Sequence, residues 1–234
     1  FSRTVISMRL EQNNNPRFGN AVQEYYLDKI RANSEHRRKR LAGIDTKRKA
    51  LDYIQETRTA IRRIFSLPKE KTPLLPEFRG QNQYADCLVD RIIFQSRPGF
   101  PVSANFYYPK HRTRPLPGVL FLCGHSMDGK GCETYQHMLF SLAKLGYAVL
   151  APDPAAQGER VQYPPLLDAA SFVGSCVKDH CMAGKQLLLS GETMSGIRLW
   201  DAVRSLDYLS EREEVDPRFM FATGNSGGGT LTAF

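Results

Sequence analysis

The run Gly224-Asn225-Ser226-Gly227-Gly228 matches G-x-S-x-G and follows directly on the apolar stretch Phe219 to Thr223. A serine on a sharp strand-to-helix turn has a strained backbone. It also needs small neighbours, because side chains two positions before and two after it would strike the turn and the elements it joins. Glycine occupies both positions. Such a turn lifts the hydroxyl clear of a sheet, where it can attack a carbonyl carbon. A helix beginning at Gly227 would aim backbone N–H groups at the charge developing on the carbonyl oxygen. The chemistry expected of Ser226 is nucleophilic acyl transfer; the competing reading is a glycine-rich connection without chemistry.

A nucleophile of this kind needs a second donor for the oxyanion, from the loop after an earlier strand. Leu122-Cys123-Gly124-His125-Ser126 stands in that position. The backbone N–H of His125 is the candidate, with that of Gly227 as its partner. His125 then acts through its main chain, and the residues leave open whether its imidazole is only a structural loop group.

Two other conspicuous sites read as structural. Asp153 follows an apolar run as a triad acid would, but where a G-x-S-x-G turn carries the nucleophile, acid and histidine follow it in the chain. With Gln157-Gly158-Glu159-Arg160 it is expected to shape the loop after its strand. Asp179-His180 resembles a dyad, yet adjacent side chains project in different directions in helix or strand; a polar stretch lining a cleft is the expectation. Cys176 and Cys181 leave a local disulfide and two free thiols both open.

These residues have to be positioned by a particular set of elements. Phe18, Val22, Tyr25, Tyr26 and Ile30, and then Leu51, Ile54, Ile61 and Phe65, repeat at one-face helical spacing. Ser34 to Arg40 reads as a solvated helical turn or link between them. Leu67 to Pro76, with Pro68, Pro73 and Pro76, is a linker, and places a domain boundary near residue 80. Beyond it the apolar runs shorten and alternate with helical stretches, as in an α/β domain with a mainly parallel sheet. Strands are expected over 88–94 and 103–108 as an antiparallel pair joined through Arg97-Pro98-Gly99, then over 119–123, 148–151 and 219–223, the last preceded by a turn at Asp216-Pro217. Helices are expected over 135–145 and 195–209. Residues 157–183 show no clear period and read as an excursion.

Composition narrows the function classes. The 234 residues are 41% hydrophobic and 24% charged, the balance of a globular chain, and no apolar run approaches the roughly 18 residues of a membrane span. Residues 28–64 hold 12 Lys/Arg against 5 Asp/Glu, whereas the remainder is near neutral. That basic segment permits a noncatalytic reading, binding of an anionic polymer, but no nucleic-acid motif supports it and no nucleic-acid partner is expected. No metal, nucleotide or organic cofactor is expected either, since H-E-x-x-H, P-loop and dinucleotide signatures are absent. The five cysteines and the start of the chain leave compartment and oligomeric state undetermined.

Taken in order, Cys123-Gly124-His125-Ser126, Gly129-Lys130, Tyr135-Gln136, Gly146-Tyr147, Asp153-Pro154, Gln157-Gly158-Glu159-Arg160, Asp207-Tyr208-Leu209, Val215-Asp216-Pro217 and Gly224-Asn225-Ser226-Gly227-Gly228-Gly229-Thr230 resemble the acetyl xylan esterase-like branch of the α/β-hydrolase superfamily. The resemblance implies a serine hydrolase of carboxylic esters, with acetylated carbohydrate or a small ester as substrate. It implies that Ser226 is the nucleophile and that the Gly227 and His125 amides form the oxyanion hole. Residues 1–80 would be a helical extension or cap, and residues 81–234 the N-terminal part of the catalytic domain through the nucleophile elbow. His36, His111, His125, His137 and His180 all precede Ser226, and neither acid nor histidine lies in 227–234. The expectation is therefore an incomplete hydrolase fold, almost inactive by itself. A peptidase or lactone hydrolase on the same fold is the near alternative.

Overall fold

A computed structural model describes residues 19–164 and 172–234. The chain falls into two compact units, one ending at Arg58 and one beginning at Thr59.

In the first unit, helix α1 (Ala21–Ala42) is followed by the start of helix α2 (Lys47–Ile64). The apolar spacing in α1 does not mark a buried face: no residue of α1 is buried, and Val22, Tyr25, Tyr26 and Ile30 are all exposed. Ser34 to Arg40 belongs to the helix itself, and the helix is polar over most of its surface. Ion pairs one turn apart, Asp28 with Arg31 and Glu35 with Arg38, support such a helix by a few tenths of a kcal/mol each. Arg40 pairs with Glu56 and lies over the Tyr53 ring, which joins α1 to α2.

The second unit is a six-stranded sheet in the order β1-β2-β3-β5-β4-β6. Its strands are β1 (Glu77–Gln83), β2 (Cys87–Arg97), β3 (Phe100–Pro109), β4 (Leu116–Leu122), β5 (Ala148–Pro152) and β6 (Val215–Gly224). The helices are α3 (Glu133–Lys144), α4 (Cys176–Leu189), α5 (Met194–Ser210) and the short α6 (Gly227–Ala233). The α/β class is as expected, and the sheet is mixed. β2 and β3 form the expected antiparallel hairpin, and β5, β4 and β6 are parallel neighbours.

Alternation along the central strands builds two cores. Val119 and Phe121 of β4, with Val149 and Ala151 of β5, pack against Tyr135, Leu139 and Ala143 of α3. Leu120, Leu122 and Leu150 point the other way, towards Ala202, Tyr208 and Leu209 of α5. This is the period-two pattern of strands covered on both faces. The Phe94 and Tyr208 rings stack at 5.4 Å, and Trp200 Nε1 donates to Ser96 O. α5 is thereby fixed to β2. The chain moves from β4 through α3 to β5, then reverses and crosses by α5 to β6 on the far side of β4. The two crossovers lie on opposite faces, and the loops leaving the carboxyl ends of these strands converge where ligands bind in such sheets.

Three elements differ from the sequence reading. β1 is polar and exposed, carries no alternation, and exists because β2 offers it a pairing edge. α4 runs through part of the region read as an aperiodic excursion; it buries only Cys176 and Asp179, too few for an apolar stripe. The turn expected at Asp216-Pro217 is an irregularity inside β6, where the pairing steps from Pro117↔Asp216 to Gly118↔Met220.

Candidate active site

β6 ends in register with β4, with Leu122 opposite Gly224. The two strands therefore deliver the Gly124–His125 loop and the Ser226 turn side by side. Ser226 has φ 51° and ψ −116°, a positive φ that costs a non-glycine residue of order 1–3 kcal/mol and persists only where the surroundings enforce it. The enforcement is visible at Gly228: a Cβ there would lie 1.9 Å from Leu122 O. At Gly124 a Cβ would meet Asn225 O at 2.7 Å and Ser226 Cβ at 3.2 Å. The loop and the turn approach so closely at Gly124 and Gly228 that side chains at these positions would force them apart.

Ser226 is exposed at the tip of this turn. Among the described residues, neither the His125 nor the Gly227 backbone N–H donates to another protein group. The two residues are adjacent in space, since the His125 ring would stand 2.9 Å from a Cβ on Gly227. The structure thus brings Ser226, Gly227 and His125 together. No histidine among the described residues accepts a hydrogen bond from Ser226 Oγ.

The loop carrying His125 is held by groups to which the sequence assigns no such part. Gln157, fully buried, donates from Nε2 to Gly124 O at 2.9 Å. That carbonyl belongs to the same planar peptide as the His125 N–H, so fixing the one orients the other. Gln157 Oε1 accepts from Arg198, whose guanidinium also donates twice to Ala155 O. Arg198 then approaches His125 Nε2 at 3.4 Å, and His180 Nδ1 lies 3.2 Å from the same atom. A guanidinium only donates, so His125 Nε2 is the acceptor and the ring is neutral.

The electrostatics agree with a neutral pair. Burial, then the Arg198 charge, lowers His125 below the usual imidazole range. His180 is brought down to about 4 by burial, Arg198 and His125, against an opposing pull from Asp179. Burial also lowers Arg198 to about 10, which leaves it charged at neutral pH. Three potentially positive groups meet here, and only the arginine carries its charge.

Asp153 does what loop shaping requires. Its carboxylate accepts from Ser103 Oγ, the backbone N–H groups of Lys130 and Glu159, and Lys130 Nζ. Arg160 donates to its carbonyl and pairs with Asp201 at 2.8 Å. Asp179 accepts from the backbone of Gln162 and Tyr163, while its neighbour His180 turns to His125. All five cysteines are free thiols. Among the described residues there is no cluster of three or more metal-ligating side chains, and no helix long and apolar enough to cross a membrane.

Sequence spacing could not reveal His180 or Arg198, because their partners lie 55 and 73 positions away. Gln157 stands in a motif singled out for the loop after β5, but its partner Gly124 emerges only with the tertiary fold.

Comparison with known proteins identifies the family. The family model for acetyl xylan esterase (AXE1) matches residues 70–234. A Bacillus subtilis (strain 168) protein named as a hydrolase, YtaP, is 26% identical over 186 residues, which are 75% of this chain and 57% of that protein. Among solved structures, one described as an acetyl xylan esterase from Bacteroides fragilis NCTC 9343 superposes with a TM-score of 0.69 at 16% identity, over 80% of this chain and 51% of its own. The acetyl xylan esterase from Paenibacillus sp. R4 gives 0.50 at 25% identity, over 68% of this chain and 48% of its own. The chain thus spans about half the length of these solved structures.

Proposed function

This chain belongs to the acetyl xylan esterase (AXE1) family, and on that basis we propose that it carries the nucleophile and oxyanion hole of a serine-dependent carboxylic ester hydrolase acting on acetyl esters. Ser226 Oγ attacks the acyl carbonyl carbon. The carbonyl oxygen becomes the oxyanion of a tetrahedral intermediate and accepts hydrogen bonds from the backbone N–H groups of Gly227 and His125. Collapse expels the alcohol and leaves the acyl group on Ser226; water then attacks the acyl-enzyme, and carboxylic acid leaves.

A base must take the Ser226 proton and return it to the leaving alcohol. His125 and His180 are engaged with each other and with Arg198 rather than with Ser226. In this reading the base is a group other than these two histidines. Residues 1–80 are proposed as an accessory helical extension to a catalytic domain that includes 81–234.

The observation that carries the proposal is the strained Ser226 turn standing beside two backbone donors that, among the described residues, bond to no other protein group. Such strain is retained where it serves a site. The substrate class, an acetylated carbohydrate, rests on family membership; the elbow does not choose the leaving group. The test is turnover by the protein expressed from its complete reading frame, on 4-nitrophenyl acetate, acetylated xylo-oligosaccharides, a peptide amide and a lactone. Hydrolysis of the acetyl esters is expected. Turnover confined to the peptide or the lactone would replace this reading with another of the same fold.

A further inference from the structure

We propose that His180, on α4, is a positioning residue for the oxyanion hole: together with Arg198 it clamps the His125 imidazole and so holds the His125 backbone N–H at the Ser226 turn. The proposal rests on the ester-hydrolase reading of Ser226 and adds a residue with no contact to the reacting atoms.

The argument starts from what a donor on this loop requires. The residue before His125 is Gly124, which has no side chain to restrict its backbone, and no side chain fits there because Ser226 Cβ and Asn225 O stand too close. The restraint on the 124–125 peptide has to come from outside the loop. Gln157 supplies one restraint at the carbonyl. The His125 side chain supplies the other, provided its ring is itself immobile. Three groups surround that ring: Gly227 on one side, with no room for a Cβ between them; Arg198 from α5 at 3.4 Å; and His180 from α4 at 3.2 Å, with ring centroids 4.8 Å apart. Removing His180 leaves Arg198, at a longer distance, as the remaining hydrogen-bonding hold on the ring.

α4 is well placed to hold a ring still. Its N-cap Ser175 accepts from Lys178 N, and Asp179, fully buried, accepts two backbone N–H groups from residues 162 and 163. His180 follows directly and inherits that anchorage. The charged and titratable groups facing the imidazole pair from the packed elements are Arg198 from α5, Asp179 from α4 and the two rings themselves. The arrangement links the segment after β5 to the efficiency of the chemical step rather than to ester binding.

The test uses the protein from its complete reading frame, with 4-nitrophenyl acetate as substrate and a trifluoromethyl ketone that adds to the serine as a tetrahedral mimic. The variants are His180→Ala, His180→Phe, which keeps a ring without nitrogens, His180→Asn, which keeps a polar group, and Ser226→Ala. A misplaced donor costs rate without costing ground-state binding, so kcat should fall about 10- to 100-fold in the alanine and phenylalanine variants with KM within about threefold. Affinity for the ketone should weaken by the same factor as kcat/KM, and His180→Asn should recover most of the loss. If the alanine variant does not fold, the comparison of His180→Phe with His180→Asn decides. A kcat for His180→Phe within about twofold of wild type, or a loss residing in KM, overturns the positioning role. Hydrolysis retained by Ser226→Ala would instead overturn the ester-hydrolase reading itself.

Discussion

Replacing Gly228 with alanine is the sharpest perturbation of the junction between β4 and the Ser226 turn. The added Cβ would lie 1.9 Å from Leu122 O, 2.5 Å from Leu122 C and 3.0 Å from Cys123 C. Non-bonded atoms settle at about 3.5 Å, so roughly 1.5 Å of separation is missing. All three atoms are backbone, and no rotamer change relieves them; α6 and the end of β4 must move apart. Against this, alanine is better than glycine in a helix by about 1 kcal/mol. Overpacking costs about 1–3 kcal/mol, more where a backbone must shift. The net expectation is about 2 kcal/mol of destabilisation, roughly 4–8 °C in Tm for a domain of this size. Thermal unfolding followed by circular dichroism reads it directly. Gly131→Ala is the control, because a Cβ there meets nothing within 4 Å. Esterase activity should fall further than stability does, since Leu122 and Cys123 lead into the Gly124–His125 loop. A Gly228→Ala protein with a Tm within about 1 °C of wild type would refute the close-packing argument.

Asp153→Asn should cost about 3 kcal/mol in chemical denaturation, because the substitution leaves the buried Lys130 ammonium with only the exposed Glu159 as counter-charge; a change below about 1 kcal/mol would contradict the structural role. Gly227→Ala should push the His125 ring aside, and with His180→Ala the two rate losses should be strongly non-additive, since both act on one ring; simple additivity would separate them. His180 has a folded-state pKa lowered to about 4, so the unfolded chain takes up its proton first. Stability from this group is present above about pH 6.5, and is lost as pH falls from there through about 4. The fall in Tm over that window should be smaller in His180→Asn than in wild type; identical profiles would deny the neutral pair.

Much of the scaffold was legible because its residues obey one rule at a time. Val119 to Leu122 and Ala148 to Ala151 are continuous apolar runs, as strands covered on both faces must be. Leu206 and Leu209 recur at helical spacing and face the same side of the sheet. Arg97-Pro98-Gly99 marked the hairpin turn, and Gly99 does take a positive φ of 71°. β1 was illegible because Glu77 to Gln83 is held by ladder bonds to β2 rather than by burial. α4 was illegible because its buried positions include an aspartate, which no hydrophobic period registers; the cap at Ser175 was the signal that remained. At the site, Ser226 and its glycines were readable since the backbone geometry dictates those residue types. Tyr25, Tyr26 and Ile30 keep helical spacing on α1 yet stay exposed, for apolar periodicity counts no charges. The roles of His180, Arg198 and Gln157 depend on side chains meeting partners 33 to 73 positions away, and only packing supplies that.

The central claim is that Ser226 is an activated nucleophile. The most direct measurement is labelling of the protein from its complete reading frame with a fluorophosphonate, followed by peptide mass spectrometry, beside Ser226→Ala. A single adduct on Ser226, absent from the variant, is the predicted result. Equal labelling of the variant, or no labelling of a folded wild-type protein, would contradict the account.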